Sequence, residues 1–277
     1  MNPVITLTSD FGQKDPYLAS LKGELLCLLE HPLIVDISHE IEPFHIAQAA
    51  FVVQNSYTHF PDGSVHILCV DDTISPENKP IVAKLNKHYF VCADNGILSL
   101  ISPKFKPNEV YEIDIHKNPT NSFSTRRIFA YAAAHLMRGG APSVIGKKTE
   151  PINVRMPFAP SVKNDKKTIT GKVIYIDNYE NVVTNISEEL FVEIGQGRTF
   201  TIQVRNNEIK QVVRSYTEVI RFDIDKNKRM EGGKELAIFN SIGLLELAIY
   251  KSNPQQTGGA SSLFGLKYLD LVSVHFE

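Results

Sequence analysis

Along roughly the first 150 residues, short apolar runs alternate with stretches whose apolar positions recur every three to four residues. Val4 to Leu7 reads as a strand. Tyr17, Leu18, Leu21, Leu25 and Leu28 then fall on one helical face. Leu33 to Ser38 is the next strand, and "IAQAAFVVQNSYTHF" (46–60) the next helix. "SVHILCVDD" (64–72) is strand-like, and "PIVAKLNKHYFVCADNG" (80–96) predicts two strands turning at Asn86–Lys87. "EVYEIDI" (109–115) adds a strand. "RRIFAYAAAHLMRGG" (126–140) is a helix with His135 and Arg138 near its end and Gly139–Gly140 to stop it. Strands alternating with helices predict βαβ units and a mainly parallel sheet.

The pattern changes near residue 150. "PFAPSVKNDKKTIT" (157–170) has little periodicity and reads as a linker. Beyond it come short strand-like runs: "GKVIYID", "VVTNI", "TFTIQV", "IKQVV", "ELAIFN", "LLELAIY" and "DLVSVHF". One helix, "SEELFVEIG" (187–195), interrupts them, with Ser187 as its N-terminal signal. "QQTGGASS" (255–262) reads as a flexible loop. The expected architecture is an α/β domain over residues 1–156, followed by a β-rich domain over 157–277.

Composition narrows the function classes. A net charge of −2 gives no basic footprint for nucleic acid. No apolar run reaches membrane-spanning length, and the first residues lack a signal-peptide pattern. The three cysteines, Cys27, Cys69 and Cys92, are scattered in apolar context, so buried free thiols in a reducing cytoplasm are expected.

Candidate chemistry lies where strands end, because open α/β sheets bind ligands outside the carboxyl ends of their strands. Asp10 follows the first strand, Asp36 closes the second, and Asp71 and Asp72 follow "VHILCV". A fixed carboxylate there can accept both hydroxyls of a ribose diol; the alternative for Asp10 is a cap on the following helix. No glycine-rich phosphate loop follows the first strand, which disfavours a phosphorylated nucleotide. His39 and His45 have metal-ligand chemistry, but no other Cys or His stands at a matching spacing. Asp177, Tyr179 and Asn181, in "IDNYENVVTNIS", can face a ligand or build a tight turn.

As a set, "TSDFG", "DISHEI", "ADNGILSLI", "SFSTRRIFAYAAAHL", "IDNYENVVTNI" and "NSIGLLELAI" resemble, in order, the S-adenosyl-L-methionine (SAM) hydroxide adenosyltransferase family, related to fluorinases and chlorinases. The resemblance covers almost the whole chain. It implies a C-terminal domain of β-barrel type, and a homotrimer with sites at subunit interfaces. It also implies a reaction of SAM with water that gives adenosine and methionine. Asp10 matches the family's ribose-binding acid, and Asp177 and Asn181 match contacts to the methionine and adenine parts. Tyr179 stands where the family often has Phe, and Asn240 and Ser241 fall in the adenine-lining segment. The sequence suggests no metal and no organic cofactor.

The departures concern water. In the family an Asp, an Arg and a His hold it, in Val-Asp-Pro-x-Val-Gly and Thr-Phe-His-Gly-Arg-Asp contexts. Here "VDDTISPENKP" keeps Asp71 but puts Asp72 at the Pro and Asn78 at the Arg. "SFSTRR" puts Ser124 at the His. Lys79, Arg126 and Arg127 are the nearby cations that can substitute. Losing such groups typically costs about 10²–10⁴ in rate. The expectations are a divergent, weakened SAM hydrolase using Asp71, Asn78 and Ser124, or a non-catalytic adenosine- or SAM-binding protein. Halide transfer fits poorly, because Asp71 repels an anion in a low dielectric.

Overall fold

The structure, a computed structural model, describes residues 3–103, 107–115, 124–151, 153–229 and 232–277, with Ser124 and Thr125 described by backbone alone. It divides into two compact units, Met1–Pro157 and Phe158–Glu277.

The first unit follows the strand–helix alternation: β1 (Ile5–Ser9), α1 (Tyr17–Leu28), β2 (Ile34–Ser38), α2 (Ile46–Gln54), β3 (Val65–Cys69), β4 (Pro80–Leu85), β5 (His88–Ala93), α3 (Ile97–Ile101), β6 (Glu109–Ile113), α4 (Ser124–Met137), α5 (Pro142–Ile145) and β7 (Gly146–Lys148). The seven strands lie in the order β2-β1-β3-β5-β4-β6-β7. Pairing is parallel from β2 through β5 and antiparallel from there to the β7 edge.

Helices cover both faces, so β1 and β3 are buried at every position rather than alternating. Val65, Ile67, Cys69, Val82 and Val91 pack with Leu21 and Leu25 of α1 and Ile128 and Phe129 of α4. Leu68, Val70, Ile81, Ala83 and Phe90 turn to the other face, against Ala49 and Val53 of α2 and Ile97 and Ile101 of α3. Each fully buried Leu, Ile or Phe contributes about 1.5–3 kcal/mol. His66 is the polar exception in β3. It is buried, with Nδ1 2.7 Å from Thr6 Oγ1 and Nε2 3.1 Å from His88 Nδ1.

The second unit contains β8 (Ser161–Val162), β9 (Thr168–Ile176), β10 (Val182–Ser187), α6 (Glu188–Gly195), β11 (Phe200–Val204), β12 (Asn207–Ile209), β13 (Val212–Val213), β14 (Glu235–Phe239), β15 (Leu244–Ile249), α7 (Ala260–Phe264) and β16 (Leu271–Phe276). The nine strands form one barrel-like sheet around Val173, Val182, Leu247, Val274 and Phe276.

Several expectations need correction. The helix from 46 ends at Gln54, because the Asn55 and Ser56 side chains bond back to the carbonyls of Phe51 and Val52, and a 3₁₀ turn, Tyr57–His59, follows. The segment read as a linker holds the β8–β9 hairpin, whose turn places Lys166 at φ 54°. "IKQVV" splits between β12 and β13, and the segment read as a loop ends in α7. Cys69 and Cys92 are buried, but Cys27 is exposed. The Asn86–Lys87 turn has both residues at positive φ, as a tight hairpin requires, and Ser187 caps α6 through the Leu190 N–H.

Candidate functional site

In the first unit, β1, β3 and β5 run parallel and end together, with Ser9 beside Cys69 and Leu68 beside Cys92. Their exits carry Asp10, Asp71–Asp72 and Asp94–Asn95. Asp10 is not a helix cap: α1 starts at Pro16 without a side-chain cap. Its Oδ2 instead accepts the Phe44 N–H at 2.9 Å, and its own N–H donates to the Cys69 carbonyl. Phe44 is 70% exposed and sits at φ 64°, leaving an aromatic face open beside this carboxylate.

Behind Asp10 the loop is pinned by a buried histidine. His39 Nδ1 lies 2.7 Å from Ser9 Oγ, its Nε2 is 3.1 Å from Asp36 Oδ1, and its carbonyl accepts the Gly12 N–H. Lys22 closes the chain on Asp36 at 2.6 Å. Lys22 and His39 hold the Asp36 carboxyl below its ordinary range, against the opposing effect of burial. The other histidine weighed as a ligand, His45, caps α2, its Nδ1 accepting the Gln48 N–H.

Asp71 sits at φ 49°, a left-handed conformation that turns the chain sharply after β3. Its carbonyl accepts both the Asn78 and the Asn95 amide. Asn78 also donates to the Thr73 carbonyl at 2.8 Å, so its NH₂ braces the 71–78 loop, while its Oδ1 is enclosed without a partner among the described residues. Asn95 ties the loop to β5 through the Val70 carbonyl. Gly96 follows at φ 92°, and a Cβ there would stand 2.6 Å from Arg155 Cγ, so only glycine fits. The side chain of Ser124, at the start of α4, lies outside the described residues.

Sequence reasoning named Asp72 as a strand-end acid but gave it no role. Burial pushes its carboxyl up to about 6, Arg126 opposes that shift, and Asp10 adds to it. Its Oδ2 is enclosed with no hydrogen-bond partner among the described residues, and the Cys69 thiol lies beside it. Arg126 is stacked 4.7 Å from the Phe11 ring centre and 4.4 Å from that of Tyr17. Of the three candidate cations it alone attends the carboxylates: Lys79 is bound to Glu112 at 2.7 Å and Arg127 to Glu24 at 3.3 Å. The signal was available in sequence, since an acid where the resembled pattern has proline is a chemical change and not a drift.

In the second unit, Asp177 Oδ1 accepts the backbone N–H of Tyr179 and of Asn181, and its Oδ2 accepts the Asn181 side chain at 2.9 Å. These residues therefore build a tight turn that presents the Tyr179 ring to solvent. Gly259 packs against that turn so closely that a Cβ would lie 2.4 Å from the Tyr179 carbonyl oxygen. Asn240 closes the β14–β15 turn through the N–H groups of Ile242 and Leu244, and Ser241 is exposed at its tip. The Asn240 amide reaches Glu246, a buried carboxylate that also accepts the Tyr216 hydroxyl. Burial, Glu246 and then Asp177 push the Tyr216 hydroxyl up, so Asp177 belongs to the same polar cluster. Glu246 and Tyr216 were missed; a glutamate inside "LLELAI" was the available signal.

Comparison with known proteins gives one consistent result. Residues 5–146 match the SAM hydroxide adenosyltransferase N-terminal domain, and residues 171–273 match its C-terminal domain. A protein of Methanocaldococcus jannaschii named (R)-S-adenosyl-L-methionine hydrolase is 28% identical over 277 residues, covering 98% of this chain and 95% of that protein. One of the same name from Thermus thermophilus is 28% identical over 96% of this chain and 97% of its own. A fluorinase of Actinopolyspora mzabensis is 20% identical over 70% of this chain and 75% of its own. The crystal structure of an uncharacterized conserved protein from Thermotoga maritima superposes with a TM-score of 0.82 at 28% identity, covering 98% of this chain and all (100%) of that one.

Proposed function

Since the chain belongs to the SAM hydroxide adenosyltransferase family, we propose that it hydrolyses S-adenosyl-L-methionine to adenosine and L-methionine. The observation that carries the reading is the gathering of Asp10 and Asp72, with Arg126, at the carboxyl ends of β1 and β3. Such an edge suits a ribose and a sulfonium: the first offers two hydroxyl donors, the second a positive charge that carboxylates stabilise.

The reaction is a displacement at C5′ of the ribose. Water attacks the carbon, the C5′–S bond breaks, and sulfur leaves with the electron pair as a neutral thioether, so no general acid is needed. The site must hold the ribose, align the water and exclude its competitors. Asp10 would take the ribose diol, with Phe44 beside it. Asp71 would face the sulfonium, and Asn78 Oδ1 and Ser124 would orient the water. The Asp177–Asn181 turn, Tyr179, Asn240 and Ser241 would take the methionine and adenine ends. We propose also that the protein works as a homotrimer, each ligand being shared between neighbouring subunits. Among the described residues no helix is long and apolar enough to cross a membrane. A cytoplasmic location, where the thiols stay reduced, is part of the same proposal.

A second reading, a protein that binds adenosine or SAM without turning it over, draws on the commitment of the Asn78 amide to its own loop and of Lys79 to Glu112. One experiment separates the two. Purified protein is incubated with SAM, adenosine release is followed by chromatography, and SAM binding is measured by calorimetry. Adenosine and methionine formed in equal amounts support the hydrolase. Binding without product establishes the second reading, and absence of both refutes the proposed ligand.

A further inference from the structure

We propose that Asp72, standing where the resembled pattern has proline, is the base that removes the proton from the attacking water. The inference rests on the hydrolase reading and deepens it.

Three observations carry it. Asp72 leaves β3 on the same sheet edge as Asp10, close enough for the two charges to interact, which puts it beside the group that would hold the ribose. Its Oδ2 is enclosed and accepts nothing from the described residues. A buried carboxylate oxygen without a donor is costly, and that cost is relieved when a ligand or water supplies the hydrogen. Arg126, stacked on Phe11 and Tyr17, stands by as the balancing cation. The groups facing Asp72 are Cys69 from β3, Asp10 from the loop after β1 and Arg126 from α4. Cys69 is no competitor for the proton's destination, because burial holds its thiol protonated.

Atoms and charge balance. The water oxygen forms the C5′–O bond, the C5′–S pair passes to sulfur, and the sulfonium becomes neutral methionine. The water proton goes to Asp72 Oδ2 and then to solvent. A carboxylate poised near 6 is ionised at neutral pH and still basic enough to assist, which is the best compromise for a general base. It replaces the assistance lost with the His and Arg of the resembled pattern.

The test uses the full chain, wild type beside Asp72→Asn and Asp72→Glu, with SAM. The expected result is a kcat for Asp72→Asn lowered by about 10²-fold or more, with KM and the calorimetric Kd within about threefold of wild type, and partial recovery in Asp72→Glu. Wild-type kcat/KM should rise with pH to a plateau through an inflexion near 6, which Asp72→Asn lacks. A structural role would not produce that inflexion. Retention of the wild-type rate in Asp72→Asn overturns the inference while leaving the hydrolase reading intact, and so does a rate lost together with affinity. No adenosine from wild-type protein overturns both.

Discussion

Replacing Asp72 by Asn should make the protein more stable at alkaline pH and leave it unchanged at acid pH. The carboxyl is raised from about 3.8 to about 6 by burial, with Asp10 reinforcing and Arg126 opposing. Between those values the folded chain keeps a proton that the unfolded chain has already released. Stability therefore falls as pH rises from about 4 to about 6, and the penalty is complete above 6. The displacement corresponds to roughly 3 kcal/mol at most. Asp72 retains some exposed surface, so water screens part of this, and a gain of about 1–3 kcal/mol is expected. In a unit of this size that raises Tm by about 2–10 °C. Melting curves followed by circular dichroism at pH 8.0 and pH 4.5, wild type against Asp72→Asn, measure it. An increase at pH 8.0 that shrinks to about a third of its size at pH 4.5 is the expected pattern. Equal shifts at both pH values, or a loss at pH 8.0, refute the account of Asp72 as a desolvated carboxylate. Combined with the kinetics, the variant would be about 10²-fold or more slower and yet more stable, a pairing that unfolding cannot imitate.

Other predictions follow from buried groups and close approaches. Burial, with His88 adding to it, pushes His66 down to about 3, so stability should be complete above pH 6.5 and decline as pH falls below it; urea midpoints against pH should flatten in His66→Gln. Asp10→Ala should weaken nucleoside binding at least about tenfold in calorimetry, at a stability cost of about 1 kcal/mol for the lost Phe44 bond. Gly259→Ala forces a Cβ to within 2.4 Å of the Tyr179 carbonyl oxygen, so Tm should drop and affinity for SAM fall with it; unchanged melting would show that the 177–181 turn yields without cost.

How much was legible follows the physics of each element. The central strands and α1, α2 and α4 were readable because each buries a face wide enough to impose its period on the sequence. Asp10 was readable as a strand-end acid, although only the structure shows that it bonds Phe44 and caps nothing. The short elements α3, α5, β7 and β8 were not readable, because two to five residues carry no period and owe their form to neighbours; β7, for example, exists by pairing with β6. Asn78 and Lys79 read as ligand-facing polar groups because a sequence does not say which carbonyl or carboxylate a side chain will meet. Glu246 hid in a strand-like run and Tyr216 in a 3₁₀ turn (Tyr216–Val219) 30 positions away, and they acquire meaning only when the fold brings them together.

The departures from the family pattern form a set with one electrostatic direction. Asn78 removes a cation beside Asp71, and Asp72 adds an anion three residues after β3. Lys79 and Arg127, which could have restored the charge, are held by Glu112 and Glu24. The described loop therefore keeps its shape through neutral bonds from Asn78 and Asn95 to main-chain carbonyls, while the local charge becomes more negative. A halide approaching this edge meets three carboxylates, Asp10, Asp71 and Asp72, and one arginine. A sulfonium meets the same groups with the sign reversed in its favour, and the difference grows as water is excluded. Chloride at high concentration should consequently fail to divert the reaction: with SAM and molar sodium chloride, adenosine should remain the product, and any 5′-chloro-5′-deoxyadenosine seen by mass spectrometry would show that the carboxylates do not govern which nucleophile reaches C5′.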